Sequence, residues 1–244
     1  MPMVSPVTLT RRRLSWAWAV LGAAAFFFPS PTFSADSPDR LASGEIVSFC
    51  EDVPGTSQKR GEVKGVIDAP PEIVWQVITD VNNYKDFMPR TLKSMAVRPE
   101  RLKGILEKKP VTPKEVEALL DPAPPDPASY RVPARKYLIY LYSLLDFPWP
   151  ISNRWYIIKI LQDETLCARH IYKSNWSLEI GNLRENCGEW LLEPFGNNKT
   201  KVTYRLLTDP GGHLPNFLTQ KGTAMTMPQI ISSIRKRAGI LYPR

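Results

Sequence analysis

The sequence predicts an α+β fold in which a curved antiparallel sheet wraps around a long C-terminal helix. Runs rich in β-branched and aromatic residues, separated by turn signals, occur over residues 45–68 and again over 136–208. Short helical patterns lie between these two groups, and one long helical pattern follows them from about 215 to 238. An antiparallel sheet whose helix lies separately on one face belongs to the α+β class. A curved sheet wrapped around one helix often leaves an apolar space between the sheet and the helix.

The N-terminal residues have the order of a secretory signal peptide. Three arginines at 11–13 precede an apolar run over 14–28, and small residues follow at Ser34 and Ala35. The apolar run is shorter than the roughly 20 residues of a membrane span. We therefore predict a signal peptide over 1–35, export to the periplasm and one domain over 36–244. An uncleaved membrane anchor is the alternative.

Charge and cysteine content exclude several classes of function. The chain carries a formal charge of +8, but its basic residues are spread along the sequence and do not alternate with aromatics, so nucleic acid is not indicated. This basicity favours at most a transient contact with an anionic membrane surface. Three cysteines, with no C-x-x-C pair, leave at least one thiol free or paired between chains. Neither a metal nor a cofactor is predicted, and the oligomeric state is undetermined.

The first elements are a hairpin and a helix. The strands over 45–51 and 59–68 flank a Pro-Gly turn signal at 54–55. Asp68 and the prolines after it suit a helix N-terminus, with Asp68 as an acidic cap. An apolar stripe from Val74 to Val81 then predicts a helix face packed in the core. Tyr84–Met88 is predicted as a short helical turn.

Residues 98–135 are predicted as an insertion, because charges and prolines dominate there. Within it, Thr112, Pro113 and Glu115 form the pattern of a capped helix, so we predict one short surface helix. A lid or a partner site is one interpretation of the insertion, and an inert excursion is the interpretation we favour.

The strands of the second half follow in hairpin order. The strands over 136–145 and 155–161 flank a proline-rich corner, and further strands are predicted over 167–179, 185–193 and 199–208. In the last of these strands Val202, Tyr204 and Leu206 are predicted to point inward, and Lys201, Thr203 and Arg205 to face water. A three-residue loop over 196–198 would place Trp190 and Leu192 on the same inward face. A two-residue loop would reverse the pairing. Pro228 predicts a kink or break in the C-terminal helix.

Four stretches in order carry a resemblance to a known family. They are P-G-T-S with G-V-I-D-A-P within 54–70, V-W through Y-K-D-F-M-P over 74–89, P-W-P-I-S-N-R over 148–154, and G-E-W-L-L-E-P through D-P-G-G-H-L-P within 188–215. In these motifs the chain resembles bacterial START-domain proteins of the helix-grip superfamily, which includes polyketide-cyclase-like proteins. The resemblance implies a non-catalytic pocket for a lipid or other hydrophobic molecule, closed by the C-terminal helix. Where the family has an Arg-Asp pair, this chain has Arg154 followed by Trp155. Some sterol-binding members have a second arginine six positions further on, where this chain has Ile160. We therefore do not predict a sterol ligand.

The predicted pocket lining draws on aromatic and methionine side chains, because both suit apolar ligands. It comprises Phe87, Met88, Tyr140, Tyr142, Trp176, Trp190, Tyr204, Leu218, Met225 and Met227. Arg154 has two interpretations, a contact to an anionic headgroup and a structural clamp on carbonyl or carboxylate groups, and we favour the clamp.

Two alternatives to a lipid carrier remain open from the sequence. One is a cyclase- or hydrolase-type enzyme on the same fold, which would need two of His213, Arg154, Glu189 and Asp209 to converge on the pocket. The other is an interaction protein whose cavity is filled by its own side chains. No catalytic residue is predicted.

Overall fold

The computed structural model describes residues 38–53, 59–132, 135–147, 152–212 and 216–243, without the side chains of 216–224. The predicted signal peptide, the Pro-Gly turn at 54–55, residues 148–151 of the proline-rich corner and His213 lie outside the described residues.

Eight strands form one antiparallel sheet in the order β1-β2-β8-β7-β6-β5-β4-β3. The strands are β1 (Val47–Asp52), β2 (Lys59–Ile67), β3 (Thr91–Val97), β4 (Lys136–Leu145), β5 (Arg154–Asp163), β6 (Tyr172–Gly181), β7 (Glu185–Pro194) and β8 (Thr200–Asp209). The pairing of β2 with β8 joins the first hairpin to the last strand, so β1 and β3 form the edges. Strand β3 was not predicted. Strand β6 begins later than the predicted residue 167, since Cys167–Arg169 form a 3₁₀ turn that ends at His170 with φ 56°.

Six α-helices accompany the sheet within the described residues. They are α1 (Pro38–Ala42), α2 (Pro71–Thr79), α3 (Tyr84–Phe87), α4 (Pro99–Lys108), α5 (Pro113–Glu117) and α6 (Asn216–Leu241). Helix α2 begins after Pro70 with no side-chain cap, so the predicted capping by Asp68 is wrong. Helix α6 continues through Pro228, so of the predicted kink or break the break does not occur.

The main core fills the inner face of the sheet, which is the face toward α2 and α6. The apolar stripe of α2, including Val74 and Ile78, is buried there as predicted, and α6 contributes Met227, Ile231 and Ile234. Helix α6 packs chiefly against β2 and α2, with further contacts to β1 and α3. The result is the predicted α+β architecture, an antiparallel sheet with a long C-terminal helix on its concave side.

The register of β7 and β8 confirms the three-residue loop. Trp190 pairs with Tyr204 and Leu192 with Val202, and all four side chains are buried on the inner face. Thr203, however, is buried rather than facing water. It lies on the central strand β8, where Lys64 of β2 and Leu191 of β7 sit opposite it on either side and cover it.

A second core lies on the outer face of the sheet. Helices α4 and α5 pack their apolar residues against β4 and β5, so residues 98–120 form a packed layer and not a single surface helix. The buried members are Val97, Leu102, Ile105, Val116, Leu120, Tyr142, Leu144, Trp155 and Ile157. Only α5 was predicted; α4 was missed because charged residues hide its two buried positions, Leu102 and Ile105.

Replacing Thr112 with alanine is expected to lower the free energy of unfolding by about 1 kcal/mol. The Thr112 hydroxyl accepts a hydrogen bond from the Glu115 backbone N–H at 3.3 Å, and the Glu115 carboxylate accepts one from Val111 N–H at 2.9 Å. The measurement is urea denaturation of T112A against T112S, which keeps the hydroxyl. Equal losses in both variants would show that the cap does not act through this bond.

Candidate functional site

Three predicted aromatic residues meet on the inner face and form a continuous aromatic wall of Trp176, Trp190 and Tyr204. The ring centroids of Trp176 and Tyr204 are 5.5 Å apart in a stacked arrangement, and those of Trp190 and Tyr204 are 4.3 Å apart. Trp176 lies opposite Gly188, which leaves room for the indole against the sheet. The wall is therefore a buried apolar layer on β6, β7 and β8 that belongs to the main core and is held in place by strand pairing.

Uncovered surface adjoins this wall on the central strands. Tyr156 of β5, Leu178 of β6 and Leu206 of β8 point to the inner face and pack against the main core, yet each stays only half-buried. Desolvation raises the pKa of Tyr156, and side-chain hydrogen bonds with Ser143 and Asn186 oppose this effect. Accessible surface on deep, central positions is the geometry that an apolar ligand site requires.

The other predicted lining residues fall in different places. Tyr140 and Tyr142 point to the outer face, where Tyr142 donates a hydrogen bond to Glu117 at 3.0 Å, so their assignment to the inner pocket is wrong. Met225 is 61% exposed and Met227 is 1% exposed inside the core, so neither methionine contributes pocket lining as predicted. The side chain of Leu218 lies outside the described residues.

Phe87 and Met88 border the inner core from the end of α3. Both are half-buried and pack against the main core cluster. The guanidinium of Arg237 on α6 lies 5.5 Å from the centroid of the Phe87 ring and forms an ion pair with Asp80 at 3.4 Å. These contacts connect α3 to the C-terminal half of α6, as expected for residues at the rim of the inner face.

Arg154 is a structural clamp. Its Nε donates to the carbonyl of Pro210 at 2.8 Å, and its Nη1 donates to the carbonyl and the hydroxyl of Ser152 at 2.9 and 2.8 Å. The guanidinium also lies 5.9 Å from the Phe147 ring centroid. The carbonyl interpretation is confirmed, and the arginine ties the start of β5 to the segment that follows β8.

The residues considered for catalysis do not converge in the described part of the chain. Glu189 lies on the outer face and pairs with Arg205, while Asp209 accepts a hydrogen bond from Gly211 N–H at 2.8 Å. Among the described residues there is no group of three His, Cys, Asp or Glu side chains suited to a metal ion, and Cys50, Cys167 and Cys187 are free thiols. No helix within the described ranges is long and apolar enough to span a membrane.

Four residues of this region were not predicted, namely Ser143, Tyr156, Leu178 and Asn186. Ser143 is buried on the inner face of β4, within an otherwise apolar and aromatic run, and that isolated hydroxyl was a usable signal. Asn186 accepts a hydrogen bond from Trp176 Nε1 at 2.9 Å. Its proximity to Tyr156 depends on strands distant in sequence, so no local pattern could indicate it.

Alkaline pH is expected to destabilise the fold between pH 10 and 12. Desolvation raises the pKa of Tyr137 and of Tyr172 to about 12 and also raises those of Tyr84, Tyr156 and Tyr204. In the unfolded chain the pKa of tyrosine is about 10. The neutral phenols therefore stabilise the folded state fully below pH 10, and this stabilisation is lost as the pH rises through their pKa values in the folded state.

Urea denaturation at pH 9, 10 and 11, with absorbance at 295 nm to follow ionisation, measures this loss. Y137F is the control, since removal of one raised pKa should make the decline less steep. A stability profile that stays flat up to pH 11 would contradict the assignment of these phenols to the interior.

The comparisons with known proteins agree with this geometry. Residues 67–118 match the sequence profile of a family described as polyketide cyclase / dehydrase and lipid transport. An uncharacterized protein of Pseudomonas aeruginosa is 35% identical over 86 residues, which are 32% of this chain and 43% of that protein. The chain thus spans less than half the length of the curated relative it matches.

Solved structures show the same fold at low identity. The STAR-related lipid transfer protein of Xanthomonas axonopodis has a TM-score of 0.58 at 16% identity, covering 79% of this chain and 93% of that one. The human StAR-related lipid transfer protein 5 has a TM-score of 0.56 at 11% identity, covering 82% and 84%. The chain is therefore a protein of the START-like helix-grip fold, as its four sequence motifs predicted.

Proposed function

We propose that this protein binds a lipid or another hydrophobic small molecule between the inner face of the sheet and helix α6, and carries it without chemical change. The observation that carries the proposal is the aromatic wall beside half-buried Tyr156, Leu178 and Leu206 on central strands. The lipid-transfer names of the structural neighbours are consistent with such a ligand.

Hydrophobic transfer alone can supply the affinity of such a site. An acyl chain gains about 0.8 kcal/mol for each CH₂ group that leaves water, so a long chain needs little polar recognition. The family description also includes cyclases and dehydrases, whose chemistry needs acids or bases beside the ligand. Glu189 and Asp209 are engaged elsewhere, and this favours binding over catalysis.

The proposal extends to location. The order of arginines, apolar run and small residues over 1–35 supports export, and the positive charge of the chain supports brief contact with anionic membrane surfaces. Intact-mass measurement of the protein isolated from a periplasmic fraction tests export. A mass that includes residues 1–35 would favour the membrane anchor instead.

Lipid uptake from vesicles tests the binding proposal. The chain is incubated with vesicles of phosphatidylethanolamine and phosphatidylglycerol, separated from them, and examined by native mass spectrometry and lipid extraction. L178W places an indole on the inner surface and should weaken lipid binding. The dissociation constant should rise about tenfold, which corresponds to a loss of about 1.4 kcal/mol in binding free energy. L138W is the matched control, because Leu138 is exposed on a different strand and is absent from the inner core.

The expected result is a lipid adduct on the unchanged chain and on L138W, and little on L178W. If all three proteins leave the vesicles without lipid, or if L178W binds as well as the unchanged chain, the proposed site is wrong.

A further inference from the structure

The turn between α4 and α5 exposes an apolar side chain on a fixed backbone. Val111 is 73% exposed, although its carbonyl accepts a hydrogen bond from the indole of buried Trp155 at 3.4 Å. Its N–H donates to the Glu115 carboxylate at 2.9 Å. Pro110, directly before it, is buried and has a restricted φ. The backbone is therefore held from both sides, and the valine side chain stays in contact with solvent.

Lysines surround this valine along the chain. Residues 103–114 contain a single acid, Glu107, and four exposed lysines, which are Lys103, Lys108, Lys109 and Lys114. None of these lysines forms an ion pair with another described residue, whereas Arg98 and Arg101 at the start of the same layer both pair with Asp121. Leu106, which is 38% exposed, lies among them on α4. The turn therefore combines exposed apolar groups with positive charge that the fold does not neutralise.

The helix dipole explains only part of this arrangement. Lys108 lies in the last turn of α4, where a cation is favourable. Lys114, however, is the second residue of α5, next to the end where a cation is unfavourable. Lys109 has a φ of 48°, in the left-handed region that glycine adopts at less cost. A lysine at such a position points to a use of its charge outside the fold.

Strand register places the turn at the same end of the sheet as the rim of the inner face. The first residues of β3 and β5 both pair with Leu145, the last residue of β4. The rim residues Phe87 and Met88 lie only a few residues before β3, and Val111 contacts Trp155 at the start of β5. A surface that contacts the turn therefore also lies near the end of the sheet where the rim is found.

We propose that the α4–α5 turn docks on the anionic surface of a phospholipid membrane. Val111 and Leu106 enter the headgroup region, and the surrounding lysines contact lipid phosphates. Each lysine near such a surface strengthens binding about fivefold. This inference gives the membrane contact a location. It rests on the proposed function only for its purpose, which is the uptake or delivery of the ligand.

A membrane fits this surface better than an acidic protein does. A stable protein interface buries about 800 Å² on each partner around a packed apolar centre. The turn offers two exposed apolar side chains, Val111 and Leu106, and they are only five residues apart. A bilayer needs no matching surface, since its headgroup region accepts a few apolar groups while the lysines remain hydrated.

Vesicle sedimentation tests the docking surface. The full chain is mixed with vesicles of phosphatidylcholine alone or of phosphatidylcholine with phosphatidylglycerol, in about 0.1 M and about 1 M salt. The measured quantity is the difference in binding between the two vesicle types, because the apolar run over 14–28 would favour both. We expect tighter binding to the anionic vesicles, and high salt should remove this preference.

Charge variants assign the preference to the turn. K108Q/K109Q should weaken binding to the anionic vesicles roughly twentyfold and leave binding to neutral vesicles unchanged. R169Q/K173Q is the matched control, because both side chains are exposed and Lys173 pairs with Asp163 at the opposite end of β5. The control removes the same charge and should change binding less than threefold.

An apolar variant tests the inserted side chain. V111S should weaken binding to anionic vesicles roughly three- to tenfold, since a buried valine gains from hydrophobic transfer. L138S is its control, because Leu138 is exposed on β4 and pairs with Leu161 toward the opposite end of the strands. Val111 makes its hydrogen bonds through the backbone, so V111S is expected to fold normally.

The outcomes separate docking from ligand binding. Equal binding of the unchanged chain and K108Q/K109Q to anionic vesicles would overturn the docking surface, and so would an equal loss in R169Q/K173Q. Binding to polyglutamate without binding to vesicles would overturn it in favour of an acidic protein. L178W should dock like the unchanged chain while it takes up little lipid. Normal docking with no lipid uptake by any protein would leave the docking surface standing and refute the proposed function.

Discussion

Replacing Trp155 with alanine is expected to lower the free energy of unfolding by about 3–5 kcal/mol. Trp155 is 1% exposed and is the largest fully buried side chain among the described residues. It lies at the centre of the outer core with Ile105, Val116 and Ile157. Its indole N–H also donates to the carbonyl of Val111 at 3.4 Å. Truncation would leave a cavity between β5 and helices α4 and α5, which a rigid sheet cannot close.

Urea denaturation of W155A and W155F measures this effect. Phenylalanine keeps part of the volume, so its loss should be clearly smaller. Lipid uptake by folded W155A should be unchanged, because the indole faces away from the inner surface. A loss below about 1 kcal/mol for W155A would mean that α4 and α5 do not depend on this contact.

Replacing Gly188 with alanine is expected to destabilise the fold by about 3 kcal/mol and to disturb the aromatic wall. A Cβ on Gly188 would overlap the carbonyl oxygen of Arg205 on the neighbouring strand and the indole ring of Trp176. The backbone of a central strand cannot retreat, so Trp176 must move. The hydrogen bond from the Trp176 indole N–H to Asn186 would then be lost.

Gly239 supplies the matched control for this substitution. It lies near the end of α6, and a Cβ there meets no atom within 4 Å. G239A should leave the free energy of unfolding unchanged or raise it by up to about 1 kcal/mol, since alanine favours helix. Equal stability of G188A and G239A in urea, with normal tryptophan fluorescence in both, would contradict the close approach of Trp176 to β7.

Strand positions and the fold class could be predicted from the sequence because they depend on local patterns. The bounds of β4 were predicted at 136–145, where the structure has them. The face on which each residue lies could not be predicted for β4, since residues 141–144 are buried on both faces of the strand and the sequence there shows no alternation of apolar with charged residues. That ambiguity is the reason that Tyr140 and Tyr142 were assigned to the wrong side.

The departure of Trp155 from the family pattern has a structural explanation. The family pattern that the chain resembles has an acidic residue after the arginine, where this chain has Trp155. In the structure the side chain after Arg154 points to the outer face, which α4 and α5 cover. A large apolar residue is favourable at a position that this layer covers, and Arg154 uses carbonyl partners in place of a neighbouring carboxylate.

The outer layer also determines which parts of the molecule can move. Residues 141–144 of β4 and 154–158 of β5 are covered from both sides, by the main core on one face and by α4 and α5 on the other. Opening such strands costs nearly as much as global unfolding, so their backbone amides should exchange with solvent only when the whole domain unfolds. Any transient opening that admits a ligand must therefore occur on the other side of the sheet, among the helices that border the inner face.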